Sequence, residues 1–193
     1  MEIDVLLFEG FDELDAIGPY EVFRIANRHG GEIDARTVTL EPTDRVEARS
    51  GLRVEPDGTP APAPGALLVP GGGWNDPDVP GVRREYDRGE IPELIAERFD
   101  SGSVVASVCT GSLLLAGAGV LKGRPAATHH TARDDLAAMG VDIRESRFVD
   151  DGRVLTAGGI TSGLDLALHI VERECGSETA EGVADELEYE RSI

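Results

Sequence analysis

Apolar positions along the chain fall into short blocks whose spacing switches between two kinds. Ile3 to Phe8, Ala66 to Pro70 and Val104 to Ala106 are short continuous apolar runs, the pattern of strands covered on both faces. Between them, Leu14, Ile17, Val22, Phe23, Ile25 and Ala26 recur near helical spacing, and the pattern predicts a helix over 14–28 that Gly30-Gly31 ends, with Gly18-Pro19 permitting a bend or a late start. A second strand is predicted over 36–40, a pair of short strands within 46–54, and a stiff connector over Thr59–Gly65. Further on come an amphipathic helix over 91–100 and a helix over 111–118. A short strand over 126–128 precedes a helix over 132–139 with Thr131 as its N-cap. Arg147–Val149 and Arg153–Thr156 frame a hairpin around Asp150-Asp151-Gly152, and helices over 164–171 and 178–189 follow. Strands alternating with helices imply an α/β fold, a mostly parallel central sheet with helices on both faces. At 193 residues the chain suits one domain, 1–193, with a sizeable core.

Charge narrows the partners. The formal net charge is −19, and Lys122 is the one lysine among 18 basic residues. A surface of that sign repels nucleic acid and anionic membrane, so neither is an expected partner, whereas a small-molecule substrate is. The scarcity of lysine favours a halophilic cytoplasm, in which salt screens the self-repulsion. A first strand beginning at Ile3 leaves no room for a signal peptide, no apolar run reaches membrane-spanning length, and two cysteines make no disulfide framework. A cytoplasmic protein is expected.

Candidate chemistry gathers where predicted strands end, which is where ligands of parallel sheets sit. Ser107-Val108-Cys109-Thr110-Gly111 reads as a strand, an abrupt turn and an immediate helix. A cysteine at such an elbow is lifted beside the unpaired N–H groups of the next helix, which would lower its pKa below the free value of about 8.5. The competing reading is a small hydrophobe buried at a strand end. Asp15 is the candidate proton donor and acceptor, against the reading of one more surface carboxylate. The amides of Gly72 or Gly73, with Thr110, are candidates to bind developing charge or substrate. His129 is a candidate base, in competition with His130. The glycine run lacks the lysine of a phosphate loop, no metal-ligand spacing is present, and no cofactor is called for.

Taken together, five segments resemble the ThiJ/PfpI superfamily: Asp12-Glu13-Leu14-Asp15-Ala16-Ile17-Gly18-Pro19-Tyr20-Glu21-Val22-Phe23, Leu68-Val69-Pro70-Gly71-Gly72, Ser107-Val108-Cys109-Thr110-Gly111, Ala127-Thr128-His129-His130, and the run from Thr156 to Leu168. Within it the chain is most similar to the isonitrile hydratase branch. The resemblance implies a flavodoxin-like, class I glutamine amidotransferase-type fold and a homodimer. It places the reactive cysteine on Cys109, its acid on Asp15, an active-site threonine on Thr110 and a pocket amide on Gly72 or Gly73. Peptidase-like members carry a histidine after the cysteine; Thr110 stands there, which argues against proteolysis. The branch often has tryptophan where His130 stands. The implied activity is hydration of isonitriles to N-substituted formamides. The alternatives are a redox or stress protein acting through Cys109 and a glyoxalase or deglycase relying on His129. Regulators that share the domain continue into a helix-turn-helix region, and the end at Ile193 makes direct transcriptional control an unexpected role.

Overall fold

A computed structural model describes residues 1–191. The first apolar run forms β1 (Glu2–Leu7), and the loop after it feeds α1 (Glu13–Ala26), which holds Pro19 within it and ends in a 3-10 turn over Asn27–His29. Next come β2 (Asp34–Thr39), the two-residue pair β3 (Val46–Glu47) and β4 (Arg53–Val54), and β5 (Ala66–Val69). The chain continues through α2 (Val82–Arg88), α3 (Glu90–Asp100), β6 (Val104–Val108) and α4 (Gly111–Gly117). Then follow β7 (Pro125–Ala126), α5 (Arg133–Ala138), β8 (Asp142–Ile143), β9 (Phe148–Asp151), β10 (Val154–Ala157), α6 (Ser162–Cys175) and α7 (Ser177–Glu186).

The main sheet has the order β2-β1-β5-β6-β10-β9, parallel throughout except for the antiparallel edge strand β9. One helical group, α1 with α6 and α7, packs together, and a second, α2 with α3 and α4, packs separately, which gives the layers expected of strands buried on both faces. Ile3, Leu6, Leu7, Leu67 and Leu68 are fully buried between them. Truncating any of these to alanine would cost roughly 2–5 kcal/mol. Asp4 interrupts the apolar run of β1 and is nonetheless buried: its carboxylate pairs with Arg36 at 2.7 Å and accepts the Ala61 N–H at 2.7 Å, so it pins the 59–65 connector to the sheet.

Several local expectations shift. The short strand over 126–128 is only Pro125–Ala126, and it pairs with β8 outside the main sheet. Thr131 does not cap the helix that follows. A 3-10 turn over His130–Ala132 intervenes, and the His129 ring accepts the Thr131 N–H in its place. α2 carries no apolar stripe, since only Val82 and Glu85 are buried in it, and this hides it from periodicity. Among the described residues no helix is long and apolar enough to cross a membrane.

Candidate active site

The elbow forms between β6 and α4, and Cys109 stands there at φ 58°. A non-glycine residue in the left-handed region costs about 1–3 kcal/mol and persists only where its surroundings dictate it. Here they do. The Cys109 N–H donates to the Ala157 carbonyl of β10 at 3.1 Å. Its carbonyl accepts from the Thr128 hydroxyl at 3.0 Å and the Ser112 hydroxyl at 3.2 Å. Two residues on, position 111 must be glycine, because a Cβ on Gly111 would lie 2.4 Å from the Val69 carbonyl oxygen.

Asp15 arrives from the first turn of α1 and is fully buried. Its Oδ2 accepts the Gly71 N–H at 2.9 Å, and a Cβ on Gly71 would meet that same oxygen at 2.8 Å, so the close approach requires glycine. Its Oδ1 is buried without a hydrogen-bond partner. Burial above all, and then the charge of Asp12, push the Asp15 carboxyl up to about 8, although the Gly71 N–H and the nearby Cys109 thiol pull the other way. That thiol interacts with the carboxyl, although it makes no hydrogen bond to Oδ1.

The thiol itself departs from the expectation of a lowered pKa. Burial first and the Asp15 charge second push it up, and the Thr110 N–H is the one group that pulls it down appreciably. A single amide at the start of a seven-residue helix does not outweigh desolvation at a site 6% exposed. At neutral pH the pair therefore rests uncharged, as a thiol beside a carboxylic acid.

The glycine loop assigns its amides unequally. Gly71 N–H goes to Asp15, and Gly72 N–H goes to the Thr110 hydroxyl at 2.9 Å, which removes it as an open donor. The Gly73 N–H has no protein acceptor among the described residues. Thr110 accepts through its oxygen and keeps its own hydroxyl proton to give.

His129 is partly exposed, its Nδ1 lies 2.9 Å from the Thr131 hydroxyl, and its ring packs 4.3 Å from that of the exposed His130. Burial first, and then His130, lower its pKa, so the imidazole is neutral at pH 7. It is engaged by Thr131 and not by the sulfur. Trp74 closes the loop after β5 against the α5 segment, its Nε1 donating to Asp135 at 2.6 Å while Asn75 donates to Thr131 at 3.1 Å. Asp12, Ser112 and Thr128 escaped the sequence reading. Asp12 leaves a signal as a carboxylate at the N-cap position just before α1, three residues ahead of Asp15.

With this geometry described, comparison with known proteins places the chain. The DJ-1/PfpI family matches residues 1–173. The chain belongs to the DJ-1/PfpI family. An isonitrile hydratase of Pseudomonas putida is 34% identical over 98% of this chain and 78% of its own length. The HTH-type transcriptional regulator GbdR of Pseudomonas aeruginosa is 33% identical over 98% of this chain, and the chain spans about half, 51%, of that relative. Among solved structures, a ThiJ/PfpI family protein from Pseudomonas syringae superposes with a TM-score of 0.84 at 28% identity, covering 100% of this chain and 76% of that one. The mostly parallel sheet with helices on both faces is the one expected from the strand and helix pattern, the flavodoxin-like DJ-1/PfpI fold is the one the family resemblance implied, and an enzyme of this family fits the relatives.

Proposed function

We propose that the chain is a cysteine hydratase that converts an isonitrile to an N-substituted formamide. The observation that carries this reading is the buried Asp15 carboxyl, which holds a proton up to about pH 8 beside a cysteine fixed at a strained elbow. An isonitrile needs a proton and a sulfur delivered to the same terminal carbon, and this pair has one of each to give.

In the first step the Asp15 proton moves to the isonitrile carbon, the Cys109 sulfur bonds to that carbon, and the thiol proton passes to the vacated carboxylate. The product is a thioimidate, R–N=CH–S, and Asp15 is again an acid. In the second step water adds to the same carbon, Asp15 takes one of its protons and returns one to the departing sulfur, and nitrogen gains the other. The formamide leaves with the thiol restored. We assign the Thr110 hydroxyl and the Gly73 N–H to the substrate nitrogen, where negative charge collects, and His129 to the pocket wall.

A thiol held protonated is a poor target for peroxide, which ranks the redox-sensor reading lower. A homodimer is the assembly we favour, with Leu14 at 40% and Leu52 at 44% exposure as contacts, in a salt-adapted cytoplasm. The test is incubation with an aryl isonitrile and quantitation of the formamide. Cys109→Ala should abolish turnover, and Asp15→Asn should lower kcat by about 100-fold or more. Full turnover by Cys109→Ala, or no formamide from the unaltered enzyme, would refute the proposal.

A further inference from the structure

The hydrogen bonds around His129 fix where its proton sits, and that decides what the ring can do. Thr131 meets Nδ1 twice: its N–H donates to that nitrogen at 3.4 Å, and its hydroxyl oxygen lies 2.9 Å from it. A ring nitrogen that carries its own proton has no lone pair free to accept the Thr131 N–H. The hydroxyl agrees. Its oxygen takes the Asn75 amide N–H at 3.1 Å, which leaves its single proton to be given to Nδ1. Nδ1 is therefore bare. Burial first and His130 second, with Arg133 adding to them, outweigh the pull of Asp12 and keep the ring neutral at pH 7, so its one proton is on Nε2.

That edge of the ring is open, and it stands among the same strand ends as the nucleophile. Nε2 has no hydrogen-bond acceptor among the described residues. A Cβ on Gly159 would lie 4.0 Å from Cδ2, the carbon bonded to Nε2, so bare backbone flanks it two residues beyond the Ala157 carbonyl that takes the Cys109 N–H. On the other flank Thr128, the residue before His129, donates to the Cys109 carbonyl at 3.0 Å. The Asp12 charge reaches both the ring and the thiol. A carboxylate ahead of an exposed N–H repels an anion and leaves a neutral oxygen as the fitting acceptor.

We propose that His129 serves this site as a hydrogen-bond donor through Nε2 and not as a base, so that the bound molecule offers it an uncharged carbonyl oxygen. Under the hydratase reading that oxygen is the one on the formamide, which the isonitrile lacks; the placement of the proton does not depend on that reading. Thr131 and Asn75 are positioning residues here, because they act on the bound molecule only through the ring.

Nitrogen NMR of histidine-labelled protein at pH 7 tests the first half, with His129 assigned by its loss in His129→Gln. The expected spectrum has a proton on Nε2 and none on Nδ1. The second half is tested by calorimetric binding of N-phenylformamide to the Cys109→Ala protein. Adding His129→Leu should weaken binding about 5- to 10-fold, and His129→Gln, whose side-chain amide keeps an N–H, should recover most of that loss. A proton on Nδ1, a charged ring, no binding of the formamide, or a leucine variant that binds as tightly as the histidine protein overturns the proposal, as does a glutamine variant no better than leucine. Turnover of phenyl isonitrile by the unaltered protein separates the two readings: the expected spectrum and binding pattern without formamide production uphold the donor and overturn the hydratase.

Discussion

Replacing Asp15 by asparagine reports directly on the proton that the proposed reaction needs. Asparagine copies the protonated acid: its oxygen can take the Gly71 N–H that Oδ2 now takes at 2.9 Å, and its amide occupies the place of Oδ1, but it does not titrate. In the folded protein Asp15 titrates at about 8, against 3.8 when unperturbed. The sign follows from proton binding. Between those two values the native state keeps a proton that the unfolded chain has released, so stability is full below 3.8, falls as pH rises and levels off above about 8. Each pH unit inside the window is worth about 1.4 kcal/mol, so the unaltered protein should lose about 4 kcal/mol between pH 5 and pH 8 relative to Asp15→Asn. Urea denaturation of both proteins at pH 5, 6, 7 and 8, in constant salt, measures the difference directly. Asp12 is present in both and its contribution largely cancels; the thiol, raised above its ordinary range, titrates outside the window. A difference that stays flat from pH 5 to pH 8 would mean that Asp15 ionises like a surface carboxylate. The proton relay would then lose its physical basis.

Two further outcomes follow from the same geometry. Gly111→Ala forces a methyl group to within 2.4 Å of the Val69 carbonyl, and a loss of about 1–3 kcal/mol is expected in the same denaturation assay; a change below about 0.5 kcal/mol would show that the elbow is not held against β5. Because the Asp15 charge holds the thiol up, Cys109 in Asp15→Asn should be alkylated by iodoacetamide faster than in the parent at pH 8.5, followed by mass spectrometry of the Cys109 peptide, and equal rates would refute the coupling.

The scaffold was legible because its signals are local. Apolar runs at Ile3, Ala66 and Val104 mark buried strands, and the immediate passage from Val108 through Cys109 to Gly111 marks the elbow. What escaped depends on distance through space. The resting state of Cys109 is set by burial and by a carboxyl nearly a hundred residues away in sequence, while the visible local cue, an adjoining helix start, points the opposite way. Gly72 and Gly73 look equivalent in the sequence, and only the Thr110 hydroxyl, brought over from the neighbouring strand end, decides which amide stays open. α2 was invisible because a helix with two buried positions has no stripe to read.

The carbonyl that receives the Cys109 N–H belongs to Ala157, in a strand inserted between β6 and the sheet edge. During synthesis the cysteine thus leaves the ribosome long before the last wall of its seat exists. Until that strand docks, the left-handed bend lacks the acceptor for its N–H and is held only through its carbonyl, by Thr128 and Ser112. Reactivity of the kind described here is acquired only by the finished chain, and a fragment ending before residue 157 would carry the nucleophile without its setting.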